Sequence, residues 1–195
     1  MVKMVENWVK VPSYLVREYK KSYKLFDKFF VDIIILTRRL GEKGYIENDT
    51  MRKWIEGING VSHHLENYDI EKALEEKYDI LKGISDALRS VEAKLFLERE
   101  DLPLDIKFTL EEITDSLCEF TRTLLDMAEY YEIINNISLL DQSTWSDKYN
   151  KICYYVRSNE YDEAIASIIN IMKSIRPLIN GIVNQLRGDG ELNDS

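Results

Sequence analysis

Two cysteines, two histidines, three prolines and eight glycines in 195 residues leave few of the parts from which many functions are built. So little Gly and Pro excludes a collagen-like or low-complexity chain, and 45% apolar residues exclude a disordered one. Cys118 and Cys153 are too few for a disulfide framework and fit a reduced compartment. The longest near-continuous apolar run, Phe29 to Leu36 with Asp32 inside it, is about half the roughly 18 residues that a membrane span needs. No charged-then-apolar leader with a small-residue cleavage site opens the sequence. The expectation is a cytoplasmic chain without membrane insertion.

Catalytic parts are scarce as well. His63 and His64 are adjacent, so on a helix they point about 100° apart, whereas zinc-binding pairs sit at i and i+4. There is no Cys-x-x-Cys pair and no Gly-x-Gly-x-x-Gly, and Gly41-Glu-Lys-Gly44 lacks the spacing that cradles phosphate. Both cysteines fall on the apolar sides of their helices and read as small core residues. Neither a catalytic residue nor a cofactor site emerges, and the chain reads as a non-enzyme.

Helical periodicity runs through almost the whole sequence, with no sustained two-residue alternation. The spacing predicts six helices. The first starts after Pro12, with Ser13 as N-cap, and stops before Gly41. The second runs from about 50 to 66. The third, capped by Asn67 or Asp69, reaches about Glu98. Leu102-Pro103-Leu104 breaks the chain, and the capping box Thr109–Glu112 opens the fourth helix, which runs to about Ile137. Ser143 or Thr144 caps the fifth, ending near Arg157. The sixth runs from Glu160 to Leu186, with a kink or break expected at Ser174–Pro177 because proline removes a backbone bond and clashes with the preceding turn.

Long, short, long and again long, short, long suggests a duplication. A shift of 91 residues aligns Trp54 with Trp145, Phe29 with Phe120, Ala73 with Ala164 and Lys82 with Lys173, although 91 is a whole number of heptads and favours such matches. The fold class expected is all-α: two similar three-helix units, 14–98 and 105–187, forming an elongated or merged bundle. Residues 1–13 would be an N-terminal arm and 188–195 a disordered acidic tail.

Charge supplies two candidate surfaces. Residues 1–44 carry 10 Lys/Arg against 5 Asp/Glu, in a chain whose net charge is −9. Arg17, Lys20, Lys21, Lys24 and Lys28 share sides of the first helix. They read as a solvated face, or as an interaction surface for an acidic protein, a second copy of the chain or nucleic acid. The neighbouring Tyr14, Tyr19 and Tyr23 would stack bases in the last case, or line the core with their hydroxyls at its edge. On the fourth helix Glu112, Asp115, Glu119, Asp126 and Glu129 form a stripe with Arg122. Glu75, Asp79 and Asp86 with Lys82 do the same on the third. Such stripes are solvated ion-pair faces or, where two converge, a site for a hard cation. The interleaved cations and the missing Glu-x-x-His pair argue for the former. Asp32, enclosed by apolar neighbours, points outward or bonds across the bundle to a Tyr or Arg.

In rhythm, the segments Leu81–Phe96 (LKGISDALRSVEAKLF) and Asn170–Leu186 (NIMKSIRPLINGIVNQL), the latter followed by Gly188, resemble the third helix of each unit in the PhoU family, tandem three-helix regulators of phosphate uptake. The resemblance implies a regulatory scaffold that touches a protein partner. It does not carry over that family's acid-x-x-x-acid metal signature: only Arg89 and Glu92 match in the first unit, and no carboxylate lies between Glu163 and Asp189 in the second. The reading is therefore a non-enzymatic interaction or regulatory protein, with a helical subunit of a nucleic-acid-handling complex as the alternative.

Overall fold

Pro12 and Pro103 each stand immediately before a long helix, where a fixed φ near −50° and a missing N–H cost nothing. Their carbonyls accept the first helical N–H groups, Pro12 from Leu15 and Val16, and Pro103 from Ile106 and Lys107. A computed structural model describes residues 11–61, 64, 67–140 and 144–188. The expected arm before Val11, the tail from Asp189 onward, His63 and Ser143 lie outside the described residues.

Among the described residues there are seven helices and no strand. They are α1 (Ser13–Glu42), α2 (Asn48–Asn59), α3 (Ile70–Glu98), α4 (Leu104–Asn135), α5 (Trp145–Arg157), α6 (Tyr161–Ser174) and α7 (Arg176–Gly188). Asp69 caps α3, accepting from Lys72 N at 3.3 Å, and Thr144 and Asp147 form a reciprocal capping box on α5. The sixth expected helix is two: the chain leaves helical geometry at Ile175, so Pro177 falls in the first turn of α7, where its ring is tolerated.

Four expected ends are corrected. Ser13 is the first residue of α1 rather than its cap, and Gly41 lies inside α1, against Met51. Helix α2 stops at Asn59. The Thr109–Glu112 capping box is not used, because α4 begins at Leu104 and buries Ile106 in its first turn; Thr109 Oγ1 instead donates to the Asp105 carbonyl, 3.0 Å away.

The most extensive helix contact joins α1 to α4, which run antiparallel, as the pairing of Lys21 with Glu119 and of Lys43 with Asp105 shows. Next come α3 with α6 and α4 with α5; α2 lies on α1 and α3. One continuous core runs from Val11 to Leu186. At its centre the Phe26 ring lies 5.0 Å from Phe30 and 5.2 Å from Phe120. The contact of α1 with α4 lies inside this one core. Gly83, mid-helix in α3, is explained by Trp54 of α2: a Cβ there would come within 2.7 Å of the indole.

Helices α1 and α4 begin 91 residues apart, as do α3 and α6. The two short helices do not keep that register. Trp54 lies inside α2 and packs on α3, whereas Trp145 is the first residue of α5 and donates its indole N–H to Glu132 at 2.8 Å.

Candidate functional site

The basic face of α1 and the acidic stripe of α4 turn toward each other. Lys21 pairs with Glu119 at 3.0 Å, and Lys28 bridges Glu112 and Asp32, the latter at 2.9 Å. Arg39 donates to the Asp105 carbonyl and to Thr109 Oγ1, and Lys43 lies 3.3 Å from the Asp105 carboxylate. Two surfaces that read as separate in the sequence thus form one seam between helices. Of the remaining candidates, Arg17 lies 3.7 Å from Glu18, Lys20 is half-buried, and Lys24 is exposed. Asp32 is buried and held by Lys28 of its own helix, not by a Tyr or Arg across the bundle.

Two more stripe residues, Glu75 and Arg122, have partners on other helices, whereas Asp86 pairs with Arg89 within α3. Glu75 pairs with Lys173 at 2.6 Å. Arg122 donates to Tyr149 Oη at 3.1 Å instead of pairing within α4. No group of three or more His, Cys, Asp or Glu among the described residues is placed to hold a metal ion. Arg89 is paired with Asp86, and Glu92 accepts from Asn159 at 2.8 Å, with burial pushing its carboxyl up. His64 Nε2 lies 2.8 Å from Glu76. Of the tyrosines, Tyr19 is buried and donates to the Tyr68 carbonyl at 3.0 Å, whereas Tyr14 is exposed, edge-on to Tyr130.

The two cysteines, 35 residues apart, are buried together where α4 meets α5. The Cys118 thiol hydrogen-bonds Cys153, and the Tyr149 hydroxyl does the same. The Cys118 bond, then Tyr149 and the nearby Arg157 and Arg122 guanidinium groups, pull the Cys153 thiol down to about 7 against the effect of burial. The same bond, with burial, pushes Cys118 up. The pair therefore releases one proton readily and holds the second. An unfolded thiol titrates near pH ~8.5, so folding gains stability from about pH 7 to 8.5 through Cys153 and loses it above, where only the unfolded chain gives up the second proton. Urea midpoints of the natural chain and Cys153→Ser should differ most near pH ~8.5; a difference that does not change with pH would rule out the shared proton.

Two further features were not legible from helical spacing. A cleft of about 370 Å³ opens between the first turn of α3 and α7, with Tyr19 and Tyr68 also in its lining. At the α3–α4 corner, Phe96 and Leu97 are each 82% exposed, Leu104 66% and Phe108 56%. The only sequence signal for the corner is the clustering of four large apolar residues around the Leu102-Pro103 break. No helix among the described residues is long and apolar enough to cross a membrane. No protein family, no curated protein and no solved structure matches the chain.

Proposed function

We propose that the chain is a non-enzymatic helical interaction protein with a regulatory role, acting through the α3–α4 corner, and that the first partner of that corner is a second copy of the chain. The observation that carries the reading is the corner itself. Its four side chains present roughly 500 Å² of apolar surface, at the upper end of what a monomer exposes. Between Lys94 and Phe108 the sequence sets Lys94, Arg99 and Lys107 against Glu98, Glu100, Asp101 and Asp105, a nearly balanced stretch of net −1 on a chain of −9. A strongly charged partner gains little steering there, whereas a second copy brings both signs to the contact and meets no net repulsion beyond that of the two acidic chains. A patch of this size, with its rim, approaches the roughly 800 Å² per partner of a specific interface.

The equal offsets of α1 to α4 and of α3 to α6 support a duplicated three-helix plan, as in a degenerate PhoU-like regulator whose metal chemistry is gone. The seam on α1 engages Lys21 and Lys28, which weakens the nucleic-acid alternative.

Sedimentation at increasing concentration tests the proposal. The weight-average mass should approach twice the chain mass, and more readily in ~0.3 M salt than in ~0.02 M, since screening relieves repulsion between two acidic copies. Phe96→Asp with Leu97→Ser should abolish association while leaving the thermal midpoint within a few degrees. A chain that stays monomeric at about 0.1 mM in high salt would end this reading.

A further inference from the structure

The cleft between α3 and α7 has a charge balance that its lining does not suggest at first sight. Three carboxylates and three cations, Lys72, Arg176 and Arg187, border it, and each carboxylate already has a partner. Asp69 caps the Lys72 amide, Glu71 takes Arg176 through Nε at 3.2 Å and a second guanidinium nitrogen at 2.5 Å, and Glu75 takes Lys173. Arg187 is different: its guanidinium donates to the neutral Asn67 carbonyl at 3.3 Å, and no carboxylate among the described residues pairs with it. A guanidinium has five N–H donors, so most of the recognition capacity of Arg187 is open.

The rest of the cleft agrees with a ligand rather than with bulk water. Asn180 and Asn184, one turn apart on α7, line the same wall as Arg187, while the buried Ile70, Met172 and Ile179 form an apolar surface beneath them. Tyr68 borders the cleft with φ of 56°, a left-handed conformation that a bulky side chain adopts only when its surroundings enforce it. Tyr19 Oη holds the Tyr68 carbonyl, and the Tyr23 ring lies 5.0 Å from its ring. Backbone strain of this kind concentrates where a chain clamps a ligand.

We propose that this cleft is a binding site for a small free monocarboxylic acid with a short apolar body. The carboxylate sits on the Arg187 guanidinium and the Asn184 amide, and the body rests on Ile70, Met172 and Ile179. A volume of about 370 Å³ is at the small end for ligand sites, which favours a free acid over a peptide segment. The inference is independent of self-association, since the cleft and the α3–α4 corner share no residue.

The test titrates the full chain with 4-methylpentanoate, followed by two-dimensional NMR, with the corresponding primary amide as the neutral control. The expected result is saturable one-to-one binding, with shifts confined to residues of the cleft. Arg187→Gln should weaken it by about tenfold or more, the size of a charge-assisted hydrogen bond. Asn184→Leu, which keeps the charge, should weaken it less, and unchanged thermal midpoints would show that both variants fold. Equal binding of acid and amide, unchanged affinity in Arg187→Gln, or no saturation by about 10 mM would each overturn the proposal. Tighter binding of an acetylated tripeptide ending in leucine would overturn the assignment to a free acid.

Discussion

Replacing Phe120 by alanine is expected to destabilise the chain by about 3–5 kcal/mol, the range for removing a fully buried aromatic ring from a packed core. Phe120 is 1% exposed and sits against Phe26, so its loss opens a cavity at the contact between α1 and α4, where neighbouring rings cannot collapse without leaving their own rotamers. For a chain of this length that is a fall of roughly 10 °C in the melting temperature. Val31→Ala on the exposed side of the same α1 should change stability by no more than about 0.5 kcal/mol. A double-mutant cycle with Phe26→Ala should return a coupling of at least about 0.5 kcal/mol. Additive losses at Phe26 and Phe120 would mean that the two rings do not share one core.

Separating the halves should have a still larger effect. Fragments 1–100 and 101–195 each keep three of the expected helices, yet neither is expected to melt cooperatively alone. Phe26, Phe29 and Phe30 in the first, and Leu117, Phe120 and Leu124 in the second, are buried in one common core. Cutting the chain puts that surface in water, and the apolar area lost is the main driving force of folding. Mixing the fragments should restore helicity and a single transition, since the antiparallel contact of α1 with α4 needs no covalent link. Independent cooperative transitions in the isolated fragments would show instead that each three-helix unit is a domain in its own right. Circular dichroism of the fragments, alone and mixed, decides between these.

The class of fold, and most of the element ends that depend on local chemistry, follow from the order of residues alone. Asp69 and Thr144, each one of two candidate caps, are the ones used; α3 and α5 end at or beside the expected residues, and the helix carrying Pro177 breaks where it should. A cap or a proline acts on its own turn, so it is readable from a few neighbouring residues. Where tertiary packing competes, local signals lose. Thr109 and Glu112 make a sound capping box, but burying Ile106 draws α4 back to Leu104. Trp54 and Trp145 match in sequence and differ in role, because α5 starts later in its half than α2 does in its own.

The candidate surfaces were legible only as surfaces. Periodicity tells which side of a helix carries charge or carbon, and it is silent on which other helix turns toward that side. Only the tertiary structure set Lys21 and Lys28 against Glu119 and Glu112, making a seam of what had read as a docking face and a carboxylate stripe. It also brought Cys118 to Cys153, and drew Asn180, Asn184 and Arg187 of α7 into one cleft with Tyr68. Each of these groups joins residues from two or more helices. Their distances are fixed by how the whole core closes, a property that no single helix carries.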